Sequence, residues 1–279
     1  MEDRKMNLRV FTAFSGYDSQ CMALDRLAWM NPDFTYELVG WSEIDKYAIQ
    51  AHNAVYPQWA DRNYGDIRKI NWKQVPDFDL FTYSSPCQDF SQLGKQAGGV
   101  KGSGTRSSLL WECERAIKIK RPKCLLFENV AALVSKKFIR LFNKWQLTLE
   151  GYGYTNFAQV LNAKEYGVPQ NRARIFMVSV RDLKAKYEFP EKQPLDKRLK
   201  DVLENNVDER YYLSENVIAN FIKHKERNDA AGNNFGWQPT DGGGSAKALR
   251  AGTMRAGDNY IIEYEHETTK DDTRRDDPE

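Results

Sequence analysis

The sequence has no apolar run approaching the roughly 20 residues of a membrane-spanning helix, and its mean hydropathy of −0.70 leaves no room for a membrane protein. The N-terminal Met1-Glu2-Asp3-Arg4-Lys5 lacks the apolar segment of a secretory signal, so a cytoplasmic protein is expected. Cysteine and histidine are scarce: 4 and 3 in 279 residues, with no Cys-x-x-Cys spacing. Cytoplasmic thiols argue against disulfides. So few ligands give no zinc pattern, and no metal is expected. An excess of one charge is lacking too. The 41 Lys and Arg are nearly matched by 39 Asp and Glu, a net charge of +2. That balance neither demands nor excludes nucleic acid, because basic residues can still gather on one face.

What is present is an ordinary globular composition, 41% hydrophobic and 29% charged, in a chain long enough for one large core and a smaller second unit. Over the first two-thirds, short apolar runs alternate with helical patterns. Strands are predicted at Leu8–Phe14, Tyr36–Trp41, Phe78–Tyr83, Cys124–Phe127, Tyr154–Leu161 and Ile175–Val180. Between them lie helices around Met22–Ala28, Asp45–Tyr56, Leu109–Lys120 and Phe138–Leu149, several closed by a proline. Strands spaced by helices of this length imply an α/β fold with a doubly wound, mostly parallel sheet. Residues 1–180 are expected to form that domain, 181–266 a smaller and partial second region, and 267–279 a charged tail.

In such a sheet ligands sit at the carboxyl ends of the strands, and the chemistry-bearing residues fall there. Phe14-Ser15-Gly16 is a strand-to-helix turn where backbone can approach a ligand, although it is not the Gly-x-Gly-x-x-Gly pattern. Glu43 ends the second strand, where an acid can take ribose hydroxyls. Cys87, in Ser84-Ser85-Pro86-Cys87-Gln88, follows the third strand, and an exposed loop thiol near a cation or helix N-terminus favours the thiolate. Glu128 directly follows the fourth apolar run, where a carboxylate can exchange a proton. Arg172 and Arg174, two residues apart in an extended segment, point to one side and suit phosphate or a polarised carbonyl oxygen. Alone, each has a plainer reading: a small core thiol, a surface ion pair, a solvated basic edge.

Together these segments resemble the cytosine-5 DNA methyltransferase family from about Arg9 to Val180. Phe14-Ser15-Gly16, Glu43, Gly65-Asp66-Ile67, Pro86-Cys87-Gln88, Glu128-Asn129-Val130 and Gln170-Asn171-Arg172-Ala173-Arg174 occur in the family's order. The resemblance implies a Rossmann-like, S-adenosylmethionine-dependent methyltransferase domain followed by a target-recognition region. The implied cofactor would lie against Phe14, Ser15, Gly16, Tyr17, Glu43, Ile44, Asp66, Ile67 and Pro86. Cys87 would attack carbon 6 of cytosine, Glu128 would hold the base and supply a proton, and Arg172 and Arg174 would steady its carbonyl oxygen. The substrate would be double-stranded DNA with the base flipped out, met by Gln88, Ser91, Lys95, Lys101, Arg106, Gln170 and Arg250. The glycine-containing stretch Ser91–Ser108 would close over it.

Two departures stand out. Tyr17-Asp18-Ser19 replaces a glycine pair that the family's first motif carries. Nothing after Ile262 resembles the family's returning helix and Gly-Asn-Ser segment, which implies truncation, a second polypeptide supplying it, or a variant that manages without it, and otherwise a monomer. Two alternatives from the same resemblance are an RNA cytosine-5 methyltransferase and a catalytically silent DNA-binding module. The Pro-Cys-Gln loop and the separate recognition region favour DNA; the intact Cys87, Glu128, Arg172 and Arg174 set favours an enzyme. A cysteine hydrolase using His52 or His224 would leave the Glu and Arg segments unexplained.

Overall fold

The computed structural model describes residues 6–86, 109–205, 207–233, 236–249 and 258–262. The chain forms two compact units, one from Met1–Leu161 and Ala173–Glu191, the other from Asn162–Arg172 and Lys192–Glu279. Residues 162–172 and 181–191 therefore group differently from a linear division at residue 180.

The first unit is built on a six-stranded sheet. Its strands are β1 (Met6–Ala13), β2 (Phe34–Ser42), β3 (Leu80–Tyr83), β4 (Cys124–Val130), β5 (Thr155–Asn162) and β7 (Ala173–Val180), in the order β2-β1-β3-β4-β7-β5. β1 runs parallel to β2 and β3, and β3 parallel to β4, whereas β7 is antiparallel to β4. Helices α1 (Ser19–Met30), α2 (Lys46–Val55), α3 (Leu110–Lys120) and α4 (Ile139–Glu150) connect them. The doubly wound, mostly parallel sheet expected from the sequence is thus present, with each helix falling where the 3.6-residue pattern put it.

Local chemistry explains the elements. The carboxylate of Asp45 caps α2 by accepting from the Tyr47 and Ala48 N–H groups, a role that short acidic side chains fill at helix starts. α4 buries Phe142, Trp145 and Leu149, and α3 buries Leu110, Trp111, Cys113, Ala116 and Ile117, each set forming one face. Gly40 in β2 is required by packing. A Cβ there would lie 2.7 Å from ring atoms of both Phe11 and Tyr64.

On one side of the sheet the core is aromatic. Phe11, Trp72, Phe78 and Phe81 form a contiguous set of tilted and edge-on rings. It continues through Tyr83 to Trp145, whose indole N–H donates to the Tyr83 hydroxyl at 3.2 Å. The other face is smaller, with Val10, Cys21, Leu38, Trp41 and Tyr56 at its centre.

In the second unit, β6 (Gln170–Asn171) pairs in parallel with β8 (Ala246–Lys247). The Asp241–Ser245 stretch is a tight turn in which Gly242 has φ of 77°, and its carbonyl accepts from the Lys200 N–H at 3.0 Å. Helix α5 (Glu215–Ala230) has no fully buried residue. Near it, Tyr211, Tyr212, Ile218, Trp237 and Tyr260 line a cavity. Among the described residues no helix is long and apolar enough to cross a membrane.

Trp145 gives a direct test of the core. It is 0% exposed and stands edge-on to both Tyr83 and Trp111. Trp145→Ala is expected to lower unfolding stability by about 3–5 kcal/mol through the cavity and the orphaned Tyr83 hydroxyl. Urea denaturation checks this; a midpoint unchanged from wild type would refute the packing described.

Candidate active site at the carboxyl edge of the sheet

β1 ends at Ala13 and the chain then turns sharply. Phe14 has φ of 56° and Gly16 φ of 58°, both left-handed, and the turn closes through Asp18 N–H on the Ser15 carbonyl at 2.8 Å. The carbonyl of Ser42, at the end of β2, accepts from the N–H groups of Phe14 at 2.8 Å and Ser15 at 3.3 Å. The turn is thus latched to the neighbouring strand.

Glu43 completes that latch. One carboxylate oxygen accepts from the Gly16 N–H at 3.0 Å; the other accepts from the Ile44 and Asp45 N–H groups at 2.7 and 2.9 Å. Asn63, which the sequence reading missed, braces the same region. Its Oδ1 accepts from the Glu43 and Gly65 N–H groups, and its Nδ2 donates to the Glu43 carbonyl. Gly65, with φ of 66°, leads into Asp66 and Ile67. The Arg68 guanidinium beside Asp66 holds its carboxyl below the usual carboxylate range, while Ile67 is buried in the core. Arg115 of α3 was also missed. Its guanidinium donates to the Ile67 and Arg68 carbonyls at 2.8 and 3.1 Å, which fixes this segment from below. Tyr17 and Ile44 are exposed at the rim.

The third and fourth strand ends carry the second half of the site. Ser84 follows β3, and its hydroxyl donates to the Phe14 carbonyl at 3.5 Å. Asn129, buried on β4, donates its amide to the Ser85 carbonyl at 3.1 Å. Ser84-Ser85-Pro86 is therefore tied on one side to the β1 turn and on the other to β4. Glu128, beside Asn129, forms an ion pair with Arg174 of β7, Nε to Oε1 at 3.0 Å, both side chains being more than three-quarters buried. Such a charge-assisted pair sets the direction of the carboxylate as well as its charge partner.

The structure thus brings together Phe14, Ser15, Gly16 and Glu43, and separately Pro86, Glu128 and Arg174, all at one edge of one sheet. Arg172 and Gln170 belong to the second unit. There the Arg172 N–H donates to Asn162 at 2.9 Å, and Gln170 pairs with Ala246. Cys87, Gln88, Ser91, Lys95, Lys101, Arg106 and Arg250 lie outside the described residues. The missed residues Asn63 and Arg115 act on backbone groups, so no pattern of charge or hydrophobicity singles them out; Asn129 lies within the Glu128-Asn129-Val130 segment, and the structure gives it the role of holding the Ser85 carbonyl.

The sequence profile of C-5 cytosine-specific DNA methylases matches residues 8–277. The type II methyltransferase M2.ScrFI of Lactococcus lactis subsp. cremoris is 38% identical over 263 residues, covering 76% of this chain and 72% of that protein. The orphan methyltransferase M.SssI of Spiroplasma monobiae is 42% identical over 179 residues, covering 63% of this chain and 46% of that protein. The chain therefore spans less than half the length of the second relative. Among solved structures, the S. pombe Dnmt2 methyltransferase superposes with a TM-score of 0.69 at 20% identity, over 95% of this chain and 78% of that one, which shows a shared fold. With nearly its whole length matched by one family profile, the chain belongs to the C-5 cytosine-specific DNA methylase family.

Proposed function

We propose that the chain transfers a methyl group from S-adenosylmethionine to carbon 5 of cytosine in double-stranded DNA, in the cytoplasm, with Cys87 as the covalent nucleophile. The observation that carries this reading is the convergence at one sheet edge. The latched Gly16–Glu43 turn, the Ser84-Ser85-Pro86 approach to Cys87 and the Glu128–Arg174 pair end on adjacent strands.

The family uses S-adenosylmethionine as its methyl donor, and the residues at the first two strand ends fit such a group. The Glu43 carboxylate accepts three N–H bonds out of about four lone-pair sites, so it retains capacity for a hydroxyl. Ser15 is buried and its hydroxyl has no hydrogen-bond partner, an orphan that a polar ligand atom would satisfy. Gly16 leaves open space, since a Cβ there would meet nothing within 4 Å. Ser15, Gly16 and Glu43 would hold the cofactor, with Asp66 and Ile67 beside the adenine. When bound it supplies an electrophilic methyl group.

The chain's own residues prepare the base. A thiol cannot reach carbon 6 inside a stacked duplex, so the cytosine is extruded. The Cys87 thiolate adds to carbon 6, which makes carbon 5 nucleophilic; once carbon 5 carries the methyl group, loss of its proton expels the thiolate and restores the ring double bond, so one hard step becomes two easier ones. Glu128, oriented by Arg174, holds the ring nitrogen and amino group and supplies the proton. Arg172 and Arg174 stabilise the charge developing on the carbonyl oxygen. Lys95, Lys101 and Arg106, with Gln88 and Ser91, serve phosphates. The second unit, through Gln170 and Arg250, reads the target sequence. The first unit is accordingly the cofactor-binding and catalytic domain.

Incubation with tritiated S-adenosylmethionine and mixed-sequence duplex DNA tests the reaction. Cys87→Ser is expected to abolish label transfer while cofactor affinity, measured by calorimetry, stays within about twofold, since a nucleophile contributes to chemistry and not to ground-state binding. Full transfer by that variant would overturn the mechanism. No transfer by the wild type, with the cofactor still bound, would leave a silent DNA-binding module as the better reading. Glu43→Ala removes the acceptor for a ribose hydroxyl and for the Gly16 N–H together. Hydrogen bonds to charged groups are each worth about 1.5–3 kcal/mol, so cofactor Kd should rise at least about tenfold. Unchanged calorimetric affinity would refute the assignment.

A further inference from the structure

Asp18 takes no part in the chemistry above, yet it is a carboxylate with 0% exposure. It directly follows the Ser15–Tyr17 segment and is itself left-handed, at φ 67° and ψ 58°, a conformation that aspartate and asparagine tolerate better than other non-glycine residues. Hydrogen bonds to the strand, the turn and the first turn of α1 hold it there. The Thr12 hydroxyl donates to its Oδ2 at 2.7 Å, the Cys21 N–H to its Oδ1 at 3.4 Å, and its own N–H closes the turn on Ser15 at 2.8 Å.

A fourth neighbour is His52 of α2. Its Nε2 lies 3.6 Å from Asp18 Oδ2, and both side chains are 0% exposed. The Nε2 atom makes no hydrogen bond, and Nδ1 lies 3.4 Å from Asn53 Oδ1, so the contact with Asp18 is a close buried approach of two polar groups. The imidazole also stacks on Trp41, with centroids 3.7 Å apart and 17° between planes. Trp41 lies on β2, just before Glu43. Thr12, Asp18, His52 and Trp41 thus form one buried chain from β1 through the turn to α2 and back to β2. A buried polar pair of this kind costs more than an apolar filling unless its geometry is used for something.

We propose that Asp18 and His52 are a positioning dyad that holds the Ser15–Gly16 turn and the Glu43 carboxylate in register for the cofactor. Neither side chain touches the cofactor. Asp18 supplies the left-handed residue after the turn, and His52 anchors that residue to the strand that carries Glu43. This inference rests on the cofactor reading of the Gly16–Glu43 turn.

The test compares His52→Phe, Asp18→Asn and the double variant Asp18→Gly/His52→Phe. His52→Phe keeps a ring on Trp41 but leaves the Asp18 carboxylate without its buried neighbour. S-adenosylmethionine Kd is measured by calorimetry, KM and kcat with duplex DNA, and stability by urea denaturation without cofactor. His52→Phe is expected to raise Kd and the cofactor KM about tenfold, with kcat at saturating cofactor within about twofold, as for a displaced binding turn. The double variant removes both members of the dyad, so its Kd should rise at least as far as that of His52→Phe. Asp18→Asn keeps shape and backbone tolerance and carries the same KM-against-kcat comparison if His52→Phe fails to fold, with the same split expected. Variants that lose stability but bind cofactor as the wild type does would overturn the dyad and leave it a packing feature. A wild-type chain that binds no S-adenosylmethionine would overturn the cofactor reading and the dyad's role with it.

Discussion

The hydrogen bond from the Gly16 N–H to the Glu43 carboxylate ties the first two strand ends to each other, and the half of the site proposed for the cofactor takes its shape from it. β1 and β2 are parallel, so their carboxyl ends reach the same edge with unpaired backbone groups. The Ser42 carbonyl takes two of these, from Phe14 and Ser15, and Glu43 takes the third. What remains is a turn with its Cα face open, an acid with one acceptor to spare and a buried hydroxyl without a partner. A polar ligand is the natural complement to all three.

The other half of the edge is governed by Asn129. It lies between Glu128, paired with Arg174, and Val130, and its amide holds the Ser85 carbonyl in the segment that follows the neighbouring parallel strand. One residue thus fixes the spacing between the approach to Cys87 and the Glu128 carboxylate. Because Asn129 is 2% exposed, the backbone group it satisfies would otherwise be buried without a partner.

Much of this was legible in the sequence. The apolar run Cys124–Phe127, with Leu125 and Phe127 buried and Cys124 and Leu126 half-buried, and the alternation of strands with helices follow from a parallel sheet covered by helices. Glu43, Pro86 and Glu128 could be found because each stands where an apolar run stops. Other features follow from partners distant in sequence. An apolar pattern does not encode direction, so the antiparallel entry of β7 beside β4 was invisible. Asn63 and Arg115 brace the site through backbone carbonyls and N–H groups, which leave no pattern in side-chain type. The replacement of a glycine pair by Tyr17-Asp18-Ser19 reads from sequence as a weakness. In the structure Asp18 meets Thr12 and His52, 6 and 34 positions away, the second beyond any local window.

The segment Gln170–Arg174 shows why motif and domain need not coincide. Read as sequence it is one basic stretch before a strand. In the structure Arg174 enters β7 of the first unit, while Gln170–Arg172 belongs with residues 192–279. The reason is local: Asn162 accepts from the Arg172 N–H, the Arg172 carbonyl accepts from Ala163, and β6 pairs with β8, which closes 162–172 into a small loop of its own. That loop is anchored at Ala246, two residues before the Ala248-Leu249 approach to Arg250. A five-residue motif therefore places one arginine at the Glu128 carboxylate of the first unit and the other in the second unit. The two arginines are consequently not equivalent: Arg174 is an ion-pair partner of Glu128, whereas Arg172 is held through its backbone N–H on Asn162.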